Sequence, residues 1–152
     1  MNAAVTVFFL IIKVFSLYFL AVSLFGLCRR RTPEPAARLR RFAVLIAARN
    51  EESCIAGLIE SLRAQHYPPE LVDIWVLPNN CTDRTAEAAR RAGAQVLEMP
   101  ASVRSKGAAL HTAAKALLRS ARNYDAFCVF DADNEADPAF LSEMNHALDR
   151  TA

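Results

Sequence analysis

From residue 42 onward, short apolar runs alternate with amphipathic stretches, and this alternation constrains the fold more than any other feature. Strands are predicted at 42–48, 72–77, 95–98 and 126–130. Helices are predicted at 55–62, 82–92, 108–121 and from 137 onward. In the first of these helices apolar residues recur at i, i+3, i+4 and i+7, which is typical of a helix packed on a sheet. The order β-α-β-α-β-α-β-α predicts an α/β fold with a mostly parallel sheet and flanking helices.

Polar clusters follow three of the predicted strands. They lie at residues 49–52, 79–83 and 131–133. Ligands of open parallel sheets collect at the carboxyl ends of the strands, so we expect the three clusters to share a site. Each cluster taken alone also fits a turn or a helix start. Their common position is a stronger indication than any one of them.

Asp131 and Asp133 follow a predicted buried strand with one residue between them. Carboxylates bind hard divalent cations, and Mg²⁺ or Mn²⁺ held by one or two of them often carries substrate phosphates. The pair therefore predicts a metal or phosphate site. Lys106, beside Gly107 and before a predicted helix, suits a diphosphate, and an ordinary loop explains it as well. Neither a G-x-G-x-x-G nor a G-x-x-x-x-G-K-[ST] motif occurs in the sequence.

Residues 4–27 are apolar apart from Lys13 and a few Ser, Thr and Tyr. This length crosses a hydrocarbon core of about 30 Å as a helix, although Lys13 costs roughly 2.5–3.5 kcal/mol at mid-bilayer. A cleavable signal peptide is the alternative, but no basic segment precedes the run and no clear cleavage site follows it. We predict a retained transmembrane anchor at 4–27.

Arginines crowd the segment after the predicted span, and only Glu34 opposes them there. They are Arg29, Arg30, Arg31, Arg38, Arg40 and Arg41. The positive-inside rule then predicts a single N-terminal span with the following domain in the cytoplasm. We predict a basic linker at 28–41, either solvated or lying against anionic lipid headgroups. The net charge of +2 is weak evidence about partners, and no nucleic acid is expected. The four cysteines show no CxxC spacing and are predicted to be reduced.

Four motifs in order resemble the nucleotide-binding half of a family 2 glycosyltransferase of the GT-A fold. Residues 44–52 resemble the first strand and Asn-Glu turn of that family, and 79–85 its Asp-Asn-Cys-Thr-Asp block. Lys106 and Gly107 resemble its Lys-Gly step, and 130–134 its DxD motif. The predicted anchor and the Asp-Ala-Asp-Asn form are most similar to bacterial exopolysaccharide-type members.

The resemblance implies an inverting, metal-dependent transfer of a sugar from a nucleotide sugar, usually a UDP-sugar, to a polysaccharide or lipid-linked acceptor. It also implies attachment to the cell inner membrane. The nucleotide-sugar-binding residues that it implies are Ala47, Ala48, Glu51, Asn79, Lys106, Asp131 and Ala132. The metal ligands would be Asp131 and Asp133, with Mg²⁺ or Mn²⁺ as the cofactor.

Two departures from the family pattern stand out. Asn79 replaces the usual Asp, and its amide oxygen accepts a base N–H without a charge, which leaves the donor base open. The acceptor-side segment, with an Asp or Glu as the catalytic base, has no counterpart and is expected downstream of Ala152, so 42–152 is expected to be a partial domain. Two alternatives remain: a haloacid-dehalogenase-like phosphohydrolase, and a non-catalytic nucleotide-binding or assembly module.

Overall fold

The computed structural model describes residues 2–26 and 38–149, which fall into two compact units. The first unit contains one helix, α1 (Ala3–Gly26). Its segment 5–25 is long and apolar enough to cross a membrane, with a mean hydropathy of 2.4. A signal sequence near an N-terminus passes the same test, so the anchor at 4–27 remains a prediction. Most of the predicted linker lies outside the described residues.

The second unit contains an α/β domain with a parallel sheet, as predicted. Its elements are β1 (Phe42–Ala48), α2 (Ile55–Arg63), a 3-10 turn (Pro69–Leu71), β2 (Val72–Pro78), α3 (Thr85–Arg91), β3 (Gln95–Val96), α4 (Lys106–Leu118), β4 (Ala126–Asp131) and α5 (Phe140–Asp149). The described strands have the order β3-β2-β1-β4. Every pairing among them is parallel, so their carboxyl ends all lie at one edge of the sheet.

β1 is the centre of the sheet and of the core. Alternate residues of a strand point to opposite faces, and both faces of β1 are covered. Phe42, Val44 and Ile46 belong to the core cluster that includes the buried face of α2. Ala43 and Leu45 pack in a second cluster with the buried face of α4. Burial on both faces explains why β1 is a nearly continuous apolar run rather than an alternating one.

The prediction that the strand before Asp131 is buried is only partly right. β4 pairs with β1 and is an edge strand of the described sheet. Cys128 is buried, whereas Val129 is 51% exposed. An apolar run indicates that a strand is hydrophobic but does not indicate its place in the strand order, and an edge strand is less buried than a central one.

Three helices begin elsewhere than predicted. α3 starts at Thr85 rather than at residue 82, because residues 82–84 hydrogen bond to the loop after β1. α4 starts at Lys106 rather than at residue 108, because the Ser105 side chain accepts a hydrogen bond from the Ala108 N–H at 3.2 Å and caps the helix. This second shift makes Lys106 a helical residue with a fixed backbone. The last of them, α5, starts at Phe140 rather than at residue 137, because the Phe140 N–H donates to the Asp137 carbonyl at 2.9 Å and closes a turn before the helix.

The described end of the predicted linker is hydrogen bonded to the domain. The Arg40 N–H donates to Tyr67 Oη at 2.8 Å and to Asn145 Oδ1 at 3.2 Å. The Asn145 amide donates in turn to the Arg38 carbonyl at 3.0 Å. The Arg40 side chain is only 13% exposed and pairs with Asp149. Arg40 is therefore part of the domain and is not free to contact lipid headgroups.

Candidate functional site

Strand register brings several of the predicted site residues to the carboxyl edge of the sheet. Ala47 lies opposite Asp131 in the pairing of β1 with β4. On the other side of β1, Ala48 lies opposite Pro78, and its carbonyl accepts a hydrogen bond from the Asn79 N–H at 2.9 Å. The end of β1 thus separates Asn79 on one side from Asp131 on the other. The polar clusters predicted to share an edge do so.

The loops that follow β1 and β2 hydrogen bond to each other, and residues 50–52 and 82–85 are called the β1–β2 loop network below. Asn50 has a left-handed backbone with φ of 60°. Its Oδ1 accepts from the Thr82 N–H at 2.8 Å and the Thr82 hydroxyl at 3.3 Å. The Glu52 N–H donates to Asp83 Oδ2 at 3.1 Å, and the Arg84 N–H donates to Glu52 Oε2 at 3.1 Å. Each loop therefore provides donors and acceptors for the other.

Thr85 is the buried centre of the β1–β2 loop network. It is fully buried, and its Oγ1 accepts from the Glu51 N–H at 2.9 Å. The Thr85 hydroxyl and N–H both donate to Asp83 Oδ1. The bond from the hydroxyl is the main cause that lowers the pKa of Asp83. The sequence does not predict this role, because Thr85 lies within the helix predicted at 82–92, where its side chain has no special position.

The side chain of Glu51, a predicted nucleotide-site residue, is held by Cys54. The Cys54 thiol donates to Glu51 Oε2 at 3.1 Å. Burial, this hydrogen bond and the negative charges of Glu51 and Asp133 raise the pKa of Cys54 to about 11. The thiol therefore stays protonated at neutral pH and is not an activated nucleophile. Cys54, Cys81 and Cys128 are all free thiols, as predicted for these three.

Asn79, the predicted base contact, is 6% exposed and is connected to the far side of the site by its neighbour. Asn80 has a left-handed backbone with φ of 52°. Its Nδ2 donates to Asn79 Oδ1 at 2.8 Å and to the Val103 carbonyl at 2.7 Å. Asn80 thereby links the end of β2 to the loop that precedes α4. Asn tolerates the left-handed region better than most residues, so the Asn-Asn pair was a signal for this turn.

Lys106 and Asp131 are in contact across α4 and β4, and they are called the Lys106–Asp131 pair below. The Lys106 ammonium donates to Asp131 Oδ1. The two side chains are 49% and 56% exposed. The positive group that two neighbouring carboxylates require is therefore provided, for one of them, by a side chain of the protein.

The two predicted metal ligands do not form a complete coordination sphere. Asp133 is exposed and lies in a turn in which the Asn134 N–H donates to the Asp131 carbonyl at 3.2 Å. Ala132 between them is buried in the core. Within 2–26 and 38–149, no group of three or more His, Cys, Asp or Glu side chains is placed to hold a metal. Two exposed carboxylates still fit Mg²⁺ or Mn²⁺, because such ions usually take one or two carboxylates and complete their shell with water and substrate phosphates.

The parallel sheet, its flanking helices and the polar carboxyl edge define an open α/β domain, the class in which ligands bind at the carboxyl ends of the strands. The sequence pattern described as "Glycosyl transferase family 2" matches residues 43–152. The chain belongs to the family 2 glycosyltransferases. This membership decides against the phosphohydrolase alternative.

Individual proteins agree with this assignment. The chain is 28% identical over 108 residues to the probable glycosyltransferase YdaM of Bacillus subtilis. The aligned region covers 66% of this chain and 24% of YdaM. The mannosyltransferase PcManGT of Pyrobaculum calidifontis, in complex with GDP-Man and Mn²⁺, superposes with a TM-score of 0.64 at 23% identity, over 90% of this chain and 39% of that chain. TarS of Staphylococcus aureus, in complex with UDP, has a TM-score of 0.58 at 20% identity, over 72% of this chain and 32% of that chain. The two structures confirm the GT-A fold. The chain spans about a quarter of the length of YdaM.

Proposed function

We propose that this chain is the donor-binding portion of a membrane-anchored glycosyltransferase. The enzyme would transfer a sugar, with inversion, from a UDP-sugar to a polysaccharide or lipid-linked acceptor. The observation that carries the proposal is the juxtaposition of an amide side chain, Asn79, and an ion pair, Lys106 with Asp131, at one edge of a parallel sheet. An amide is able to hydrogen bond to a base, an ammonium binds a diphosphate, and a carboxylate binds a metal.

The roles follow from the chemistry of each side chain. Ala47 and Ala48 are the last two residues of β1, between Asn79 and Asp131, and would line the nucleotide pocket. Asn79 Oδ1 already accepts from Asn80, so the second lone pair of this oxygen or the Asn79 amide N–H would bind the base. Lys106 offers a diphosphate an ammonium at the start of α4, where the helix dipole also favours negative charge. Asp131 and Asp133 would hold the cation. A bound Mg²⁺ or Mn²⁺ supplies a Lewis acid that stabilises the charge of the departing nucleoside diphosphate.

Two proteins of the same fold bear on the donor. The structure of PcManGT is a complex with GDP-Man and Mn²⁺, and that of TarS is a complex with UDP. The fold therefore accommodates a nucleoside diphosphate of either base. We favour UDP from the resemblance of residues 79–85, and GDP is the competitor against which this choice is tested.

For the membrane arrangement, we propose that α1 is a single span of the cell inner membrane and that the domain is cytoplasmic. The apolar length of α1 and the arginines after it support this orientation. Protease protection in inverted and right-side-out vesicles tests it. Cleavage of the domain only from the cytoplasmic side is expected, and cleavage from the opposite side would reverse the orientation.

Calorimetric titration of the 152-residue chain in detergent with UDP and with GDP, each with and without Mn²⁺, tests the donor site. We expect binding of UDP that requires Mn²⁺ and is tighter than that of GDP. A folded chain that binds neither nucleotide in the presence of Mn²⁺ contradicts the proposal. Incubation with a panel of UDP-sugars adds a second readout, because UDP binding without any UDP release favours the non-catalytic module.

A further inference from the structure

The Lys106–Asp131 pair joins two side chains that the proposed function assigns to different parts of the substrate. Oδ1 of Asp131 accepts the ammonium of Lys106, so a positive charge already occupies one oxygen of the carboxylate. A divalent cation that binds Asp131 needs oxygens of the same carboxylate. The ammonium and the cation therefore compete for Asp131.

We infer that the Lys106 ammonium prevents free divalent cations from binding Asp131. The ammonium would release the carboxylate only when a diphosphate binds, so the protein would take up metal together with a nucleoside diphosphate. This inference rests on the proposed function, because it assumes that a diphosphate binds beside Lys106. It adds an order of binding that the function alone does not require. Metal alone would bind weakly, and metal with nucleotide would bind tightly.

Charge balance at the site favours this order. Without a diphosphate, a cation on Asp131 lies beside the ammonium that it displaced, and the two repel each other. With a diphosphate, Lys106 has a new anionic partner, and the Asp131 carboxylate is left to the cation. The negative oxygens of the diphosphate then separate the Lys106 ammonium from the divalent cation. Like charges at contact distance repel each other even in bulk water, and a divalent cation doubles that repulsion.

The geometry allows the exchange without refolding. Both side chains are about half exposed, so neither has to leave the core. The Lys106 backbone is fixed in the first turn of α4, whereas its four-carbon side chain is flexible once the ammonium leaves Asp131. Exposed ion pairs contribute little to stability, so a multiply charged phosphate group is able to break this one.

Binding of Mn²⁺ alone, followed by the electron paramagnetic resonance signal of the free ion, tests the inference. The samples are the wild-type chain and Lys106→Met, both in detergent and without nucleotide. We expect Lys106→Met to bind Mn²⁺ about tenfold more tightly, because both the competition and the repulsion are removed. Lys115→Met, which removes an exposed lysine at the other end of α4, is the matched control and should change the affinity less than about twofold. Unchanged or weaker Mn²⁺ binding by folded Lys106→Met overturns the inference.

Two further samples separate the inference from the proposed function. In Lys106→Met/Asp131→Asn the gain in Mn²⁺ affinity should disappear, and a gain that persists overturns the assignment to Asp131. In the presence of Mn²⁺, Lys106→Met should bind UDP about tenfold less tightly than the wild type, because the diphosphate loses its cation. If the wild type binds no nucleotide at all, the proposed function fails, and the Mn²⁺ titration still decides whether Lys106 prevents free Mn²⁺ from binding Asp131. Lys106→Gln replaces Lys106→Met if circular dichroism shows that the Met variant is unfolded.

Discussion

The two sides of the carboxyl edge are held by contacts of different kinds. The β1–β2 loop network has the fully buried Thr85 at its centre and satisfies backbone N–H groups of both loops. The Lys106–Asp131 pair is one contact between two half-exposed side chains. Leaving a buried donor without a partner costs about 1–3 kcal/mol, whereas an exposed ion pair contributes about 0–1 kcal/mol. The β1–β2 loop network is therefore fixed by the fold, whereas the Lys106–Asp131 pair is free to exchange partners.

The largest effect should come from Asp131→Asn, on the exchangeable side. Loss of the carboxylate charge should weaken Mn²⁺-dependent UDP binding about 100-fold, or ~2.7 kcal/mol, because an amide is a poor ligand for a hard cation. The melting temperature should hardly change, since the side chain is exposed. Calorimetry and thermal melts measure the two quantities. Glu135→Gln removes an exposed carboxylate four residues away and is the matched control. Equal losses in both variants would mean that general negative charge, and not this ligand, matters.

Thr85→Val should have the opposite profile. It keeps the shape of the side chain but removes the acceptor of the Glu51 N–H and the donor to Asp83. We expect the free energy of unfolding to fall by about 2 kcal/mol, measured by urea denaturation. Thr112→Val in α4, where the hydroxyl donates only to the Ala108 carbonyl one turn earlier, should cost less than about 0.5 kcal/mol. Similar losses in the two variants would show that the network is not a special source of stability.

A smaller effect is expected at Asn50, where backbone strain and hydrogen bonding can be separated. Asn50→Gly loses the two bonds to Thr82 but adopts φ of 60° without strain. Asn50→Ala loses the same bonds and also places a Cβ in the left-handed region, at a cost of roughly 1–2 kcal/mol. Urea denaturation should therefore rank Asn50→Ala below Asn50→Gly by about 1 kcal/mol. The reverse order would contradict the left-handed conformation.

The smallest effect concerns pH. The Thr85 hydroxyl lowers the pKa of Asp83 below its ordinary value. A lowered folded pKa contributes stability above the unfolded pKa of about 3.9, and this contribution is lost as the pH falls through the folded value. Asp83→Asn should thus lower the melting temperature at pH 7, and the difference from the wild type should shrink as the pH falls below the unfolded pKa of about 3.9. In a Thr85→Val background this pH dependence should be weaker, and an unchanged dependence would remove Thr85 as its cause.

The sequence was sufficient to predict the sheet and the meeting of the polar clusters, because parallel strands joined by helices necessarily end at one edge. It did not predict the place of β4, since Val129 is apolar whether its strand is central or at an edge. It also missed Asn145, a polar residue on α5 that is buried because it binds the backbone of Arg38 and Arg40. Met144, an apolar residue of the same helix, is 36% exposed. A contact between residues about a hundred positions apart leaves no local pattern.

The Lys106–Asp131 pair was also not predictable from the sequence. Lys106 was expected near a diphosphate and Asp131 near a metal, and nothing in their separate motifs indicates that they contact each other. The start of α4 at Lys106 and the last residue of β4 determine this contact. Motifs therefore predicted which residues share the site, and the tertiary structure determined which of them are partners.

We propose that a metal-bound nucleoside diphosphate lies at the end of β4. Paramagnetic broadening of amide signals by Mn²⁺ in the presence of UDP, with the ¹⁵N-labelled chain in detergent micelles, is a direct test. We expect the amide signals of Ala132 and Lys106 to broaden first. The signal of Phe42 at the other end of β1, about 20 Å from its carboxyl end, should persist longest. Broadening that is uniform, or that begins near Phe42, would contradict the claim.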